Sequence, residues 1–170
     1  MELDQLLSRL VSEVDSLNDR VKGLERGEVK PSAGARVTRS AAQTIATGVA
    51  TDIAFDEQRF DSGGFHSTSV NNERYTTLVS GIYVLSGGVR WASNTTGYRQ
   101  ITMRLNGTTP IGADRKDALQ TGPTIQCLTT VYYLDVGDYV TLEGFQNSGG
   151  NLDIDKANAL TPEFAIAGPF

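Results

Sequence analysis

A single cysteine, a single histidine and a single tryptophan are spread over 170 residues, and each scarcity removes a class of function. Cys127 alone excludes an intrachain disulfide, and no Cys/His spacing suits zinc. Its apolar stretch predicts a small hydrophobe buried in a strand. No run approaches the ~20 apolar residues needed to span a bilayer, so membrane insertion is not expected. Positive charge is sparse as well: 15 Lys and Arg face 20 Asp and Glu, for a net charge of −5. Arg26, Lys30, Arg36 and Arg39 are scattered rather than clustered, which excludes the basic footprint of a nucleic-acid binder. The acidic amphipathic start has neither a basic n-region nor a cleavage site, which predicts synthesis in a cytoplasm without a secretory leader. The sequons at Asn94-Thr95-Thr96 and Asn106-Gly107-Thr108 are then chance matches.

What the chain has in full is a heptad repeat. Leu3, Leu7, Leu10, Val14, Leu17, Val21 and Leu24 alternate steps of four and three, which holds them on one seam of a slightly underwound helix. A helix lying on its own domain shows a broader stripe of period 3.6, so a strict 3.5 repeat predicts a partner helix. Leu3, Leu10, Leu17 and Leu24 take d, and Leu7, Val14 and Val21 take a. Val at a with Leu at d suits a parallel dimer, but Leu6 at g and Val11 at e widen the apolar surface toward three strands. Arg20, Val21, Leu24 and Glu25 also resemble the short Arg-apolar-x-x-apolar-Glu pattern of trimeric coiled coils. There the Arg stem covers the seam and its head pairs with a neighbour's Glu. The expectation is a trimeric stalk over residues 1–26. Gly27, Pro31, Ser32 and Gly34 then break the helix, predicting a linker over 27–34 and a head over 35–170.

Beyond Ala35 the period changes from 3.5 to 2, in short segments divided by turn residues, which predicts an antiparallel β-sandwich. Arg36–Arg39 and Gln43–Ala46 read as edge strands. Thr51–Phe55 places Ile53 and Phe55 on one face, Glu73–Val79 leads into Gly81, and Ile82–Trp91 puts Tyr83, Leu85, Val89 and Trp91 on one face. Ile101, Met103 and Leu105 alternate with polar residues up to an Asn106-Gly107 turn. Ile125–Leu134 is apolar or uncharged on both faces, which predicts cover from its own core on one side and from neighbouring subunits on the other. Tyr132 and Tyr133 lie in this strand, so at least one is expected near a three-fold axis. Val140 and Leu142 face inward after the Gly137-Asp138 turn, a polar loop spans Gln146–Thr161, and Phe164 and Ile166 lead to a docked apolar terminus at Phe170.

These segments resemble, in family order, the C1q-type members of the C1q/tumour-necrosis-factor jelly rolls. Phe55-Asp56 through Phe60-Asp61 resembles the family's Phe-Asp and Tyr-Asp signature. Arg74-Tyr75 through Gly81-Ile82-Tyr83-Val84-Leu85 resembles its Phe-Thr-x-Pro-x-x-Gly-Val-Tyr-x-Phe block, with Leu78 or Val79 in place of the Pro. Leu105-Asn106-Gly107 matches a common turn, Leu134-Asp135-Val136-Gly137-Asp138-Tyr139-Val140 resembles Leu-x-x-Gly-Asp-x-Val, and Phe164-Ala165-Ile166-Ala167-Gly168 stands where the closing strand belongs. The resemblance implies a mainly β, ten-stranded antiparallel jelly roll that trimerises about a three-fold axis, here on an N-terminal α-helical coiled coil instead of a Gly-X-Y stalk. A heptad stalk, no leader and a Gly/Thr-rich head are similar to tailed-phage virion proteins. The expected role is a homotrimeric short fibre, spike or minor tail protein at the virion surface. Its stalk would meet other virion proteins and its head a host cell-surface glycan or protein. The alternatives are a capsid decoration or head fibre, and a secreted cellular C1q-like protein, which the missing leader disfavours.

Catalytic constellations are absent. His66 stands near Ser62 and Ser67, but adjacency is not a triad and G-x-S-x-G does not occur, so it reads as a polar loop residue. Asp52, Asp56, Glu57, Asp61, Asp153 and Asp155 are the carboxylates a glycan-hydrolysing pair would draw on, and their separation would decide that matter. Asn151, Asp153 and Asp155 share one face at period 2 and resemble the start of a calcium site. Calcium takes about 6–8 oxygens, however, and no EF-hand spacing is present. No enzyme activity, metal or cofactor is expected. Trp91, Tyr98 and Tyr139 are the candidates for a glycan platform; Trp91 shares a face with core residues, which predicts burial, and Tyr98 beside Gly97 is the expected exposed ring. Light scattering on the intact protein is expected to give three chain masses, and a monomer or dimer mass would overturn the stalk assignment.

Overall fold

The heptad stretch forms one α-helix, α1 (Leu3–Glu25), in a computed structural model that describes residues 3–25, 33–157 and 162–170. At 1.5 Å per residue it is about 35 Å long. Arg9 and Glu13 pair one turn apart at 3.6 Å on its surface. The chain divides into two compact units, Met1–Pro31 and Ser32–Phe170. Most of the expected linker lies outside the described residues, and its last residue, Gly34, is already inside the first strand.

The second unit holds twelve strands among its described residues: β1 (Ala33–Thr38), β2 (Gln43–Ile45), β3 (Thr51–Asp52), β4 (Glu57–Asp61), β5 (Arg74–Thr76), β6 (Gly81–Trp91), β7 (Tyr98–Leu105), β8 (Thr109–Asp117), β9 (Thr124–Leu134), β10 (Tyr139–Gln146), β11 (Leu152–Ile154) and β12 (Glu163–Gly168). They make two antiparallel sheets. One runs β2-β11-β6-β12-β1-β4 with β9 also paired to β6; the other runs β3-β10-β7-β8 with β5 on β10. The alternation read from the sequence holds in β6, β7, β10 and β12. Tyr83, Leu85, Val89 and Trp91 of β6 are buried, as are Ile101 and Met103 of β7, Val140 and Leu142 of β10, and Phe164 and Ile166 of β12.

The core between the sheets is built on large rings with satisfied polar ends. The Tyr75 ring packs 4.7 Å from that of Phe164 and its hydroxyl donates to the Phe164 carbonyl at 2.7 Å. Trp91 Nε1–H donates to the buried Gln126 Oε1 at 2.8 Å. Each closes a polar group that would otherwise cost about 1–3 kcal/mol in the interior. The Asn106-Gly107 turn has the positive φ values its residues favour, 52° and 72°.

Several expectations change. β1 is not an edge strand, because β12 and β4 flank it and Ala35 and Val37 are buried. β4 and β8 carry no alternation a reader would pick out, and the Leu152-Asp153-Ile154 alternation of β11 is only three residues long. β4 and β8 are largely exposed, and β8 ends in Asp114, Arg115, Lys116 and Asp117, charges suited to the unpaired margin of a sheet. β11 is three residues inside the supposed polar loop. Phe170 is not docked as expected: its N–H bonds the Ile82 carbonyl, but the residue is 69% exposed. Arg99, on the core side of β7, is fully buried, and its guanidinium donates to the carbonyls of Thr96, Tyr98 and Asn94.

Gly168 closes the sheet where β12 meets β6. Its φ is +140°, and a Cβ there would lie 2.7 Å from the Ile82 carbonyl oxygen and 2.7 Å from the Tyr83 ring. Gly168→Ala is expected to destabilise the head by about 2 kcal/mol or more, through backbone strain together with overpacking. Chemical denaturation that showed no loss would contradict this account of the junction.

Candidate functional site

The two outer faces of the sandwich differ in chemistry. On the sheet that contains β6, the outward side is small and apolar. Register places Ile82 opposite Tyr133, and Val84 between Val131 and Ala167. Val131 and Tyr133 are 62% and 58% exposed, and Ile82 is exposed beside them. Charges on this side are paired across strands, Arg36 with Glu163 and Arg90 with Asp155. A connected apolar patch with neutralised margins is the surface type that marks an interface.

β9 therefore departs from the expectation in a specific way. Thr124, Gln126 and Leu134 are buried on its core side, while the other side is open in the single chain. Cys127 lies on that open side and is exposed, so it is not a buried hydrophobe. Tyr132 and Tyr133 point to opposite sides: Tyr133 joins Val131 on the outward face, and Tyr132 sits at the rim of the core side. On α1, Leu7, Leu10, Val14, Leu17 and Val21 are all exposed, an apolar seam without cover. The side chains of Leu3, Leu6, Arg20, Leu24 and Glu25 lie outside the described residues.

The outward side of the other sheet is charged and aromatic. Arg104 donates from Nε and Nη2 to Glu143 Oε2 and Oε1 at 2.7 and 3.1 Å, a two-pronged bond that raises the Arg104 pKa. Desolvation raises the nearby Asp52 carboxyl above its usual range, and the like charges of Glu143 and Glu73 add to the shift. Tyr98 is half-buried rather than exposed. Phe145 stacks on its ring at 5.6 Å and the Arg115 guanidinium lies 3.5 Å from its centroid. Tyr139 lies under Arg74 at 4.5 Å, and Trp91 is wholly buried. Trp91 is thus buried as its strand position predicts, while Tyr98 is not the expected exposed ring.

The candidate catalytic and calcium residues have structural work. His66 Nε2 pairs with the Asn72 carbonyl at 3.1 Å, while Ser62 bonds Gly34 and Ser67 bonds the Ser69–Val70 backbone, so no Ser–His pair forms. Asp61 accepts the N–H groups of Gly63, Phe65 and His66. Asp56 accepts from Ser40, Glu57 from Thr38, and Asp153 from Thr44, and Asp155 pairs with Arg90. Asn151, Asp153 and Asp155 follow period 2 as expected, but the last two are committed to these partners. Among the described residues no group of three or more His, Cys, Asp or Glu is placed to hold a metal ion.

One feature escaped sequence reasoning. The 64–71 loop folds against β5 and leaves a cavity of about 210 Å³ whose lining includes His66, Ser67, Asn71, Arg74 and Thr76. Thr76 N–H donates to the Phe65 carbonyl at 2.9 Å and fastens the loop to the strand. No periodic signal marks such a cavity; only the Gly63-Gly64 pair and the nearby Asn71-Asn72 hint at a shaped loop.

No family model matches the chain, and no curated protein matches it. Solved structures do. The crystal structure of murine APRIL at pH 5.0 covers 80% of this chain and 98% of its own, with 13% identity and a TM-score of 0.60. Eiger TNF from S. frugiperda covers 81% and 92%, with 8% identity and a TM-score of 0.55. Identities this low carry the architecture alone, and the head of this chain is a TNF/C1q-like antiparallel β jelly roll.

Proposed function

We propose that this chain is a non-enzymatic homotrimeric surface protein of a tailed-phage virion, a short fibre, spike or minor tail protein whose head presents a host-surface binding site. The observation that carries the trimer is that one chain bears two uncovered apolar surfaces, the α1 seam and the Ile82/Val131/Tyr133 face. A heptad seam is made for identical helices in register. Copies brought together by it stand at high local concentration, so the outward face of β6 and β9 meets its counterpart without needing high affinity of its own. Three heads on one particle then bind a repetitive host surface through weak contacts acting together. The virion assignment is supported by the combination of heptad stalk and jelly-roll head in an acidic, cysteine-poor chain.

Tyr133→Asp combined with Val131→Asp is expected to weaken the trimer, so that on dilution its mass falls from three chains toward one at a higher concentration than for the unmodified protein, while the β-sheet circular dichroism is retained, because both side chains are exposed in the single chain. An unchanged trimer would remove this face from the interface. Location tests the function itself. Immunogold electron microscopy of source particles, with antibody against residues 35–170, is expected to label the tail tip. Label spread over the capsid would replace this reading with a decoration or head-fibre role, and unlabelled particles would point to a cellular C1q-like protein.

A further inference from the structure

We propose that the cavity between the 64–71 loop and β5 binds the carboxylate of an acidic sugar residue, with Arg74 holding the anion. The inference rests on the reading of the head as a host-surface binding module and names the class of ligand that module would take.

Arg74 is the cation in the cavity lining. Its guanidinium lies over the Tyr139 ring at 4.5 Å and has no carboxylate or hydrogen-bond partner among the described residues. Arg36, Arg90 and Arg104 are each paired with a Glu or Asp. The Tyr139 ring supports the guanidinium without using its N–H donors, and a planar guanidinium with unspent donors can take a carboxylate with two parallel bonds. One guanidinium also matches a single negative charge, whereas a phosphate dianion calls for further cations that the lining lacks.

The rest of the lining suits a sugar. Ser67, Asn71 and Thr76 supply hydroxyl and amide groups beside the cation. The volume of about 210 Å³ is below the roughly 300–1,000 Å³ of pockets for drug-sized ligands, so it has room for one sugar ring rather than an oligosaccharide. The walls are already ordered. Asp61 ties down three backbone N–H groups, Phe65 is bonded to Thr76, and the His66 ring is bonded to Asn72. Little conformational entropy remains to be lost when a ligand enters.

The test uses the full chain and four probes followed by amide chemical-shift titration: methyl β-D-glucuronide, methyl α-D-galacturonide, methyl β-D-glucoside and inorganic phosphate. At least one uronide is expected to bind saturably at millimolar concentration, with shifts in the 64–71 loop and β5, and the neutral glucoside about tenfold more weakly. Arg74→Gln is expected to lose about tenfold in uronide affinity with its melting temperature retained, and Arg74→Lys to recover part of it, since the charge remains and the fork does not. Equal binding of uronide and glucoside, no uronide binding, phosphate binding in place of uronide, or full affinity in Arg74→Gln would each overturn the proposal. Should Arg74→Gln not fold, the uronide–glucoside ratio on the unmodified chain decides alone. The result is independent of particle location: uronide binding together with capsid label would overturn the adhesion reading and leave the site standing, while tip label without uronide binding would do the reverse.

Discussion

Strand β6 is the constraint on which the head depends. Its eleven residues pair along their whole length with β9, and on the other side with β12 and, at Trp91, with β11. Its inward side chains, Tyr83, Leu85, Val89 and Trp91, are wholly or almost wholly buried. Gly87 lies among them where a Cβ would come within 2.8 Å of Leu142, so even the gap in the row is shaped by the opposite sheet. Ladder and core thus fix each other's register, since a slip of one residue would turn every ring to solvent.

That ladder also sets what the outward face can be. With β6 central and Ile82, Val84 and Ser86 pointing out, its neighbours place Tyr133, Val131, Ala165 and Ala167 beside them, and an uncharged surface follows from register. The opposite sheet carries Arg74, Arg104, Arg115 and Glu143 on its outward side instead, in two-pronged or cation–ring arrangements. One side of the sandwich is therefore suited to burial against a like surface, and the other to solvent and polar ligands. This division of labour is what the proposed trimer and the proposed acidic-sugar cavity each draw on.

The buried polar groups show how the two sheets are tied beyond apolar contact. Gln126, on the edge strand β9, receives the Trp91 indole N–H and donates to the carbonyls of Arg99 and Asp114 across the sandwich. Gln146 plays a similar part, reaching the carbonyls of Ile45 and Gly150. Networks of this kind fix one arrangement of loops because any other leaves a buried donor or acceptor unpaired.

The amino-acid sequence by itself determined the helix of α1, the strands β6, β7, β10 and β12 and their inward residues, the Asn106-Gly107 turn and the jelly-roll order, because each is written in local periodicity or turn chemistry. It did not determine that β1 lies inside its sheet between β12 and β4, that β4, β8 and β11 are strands, or that Cys127 faces out. Those follow from which strands become neighbours, a long-range choice without a local pattern. The same holds for Tyr98, whose neighbours Phe145 and Arg115 come from other strands, and for the Arg74 cavity, whose walls are a loop and a strand held together by the Thr76–Phe65 hydrogen bond and the His66–Tyr75 ring contact. Period reveals which side of a strand is apolar; only the packed sandwich decides which apolar side is covered by the chain's own core and which is left open.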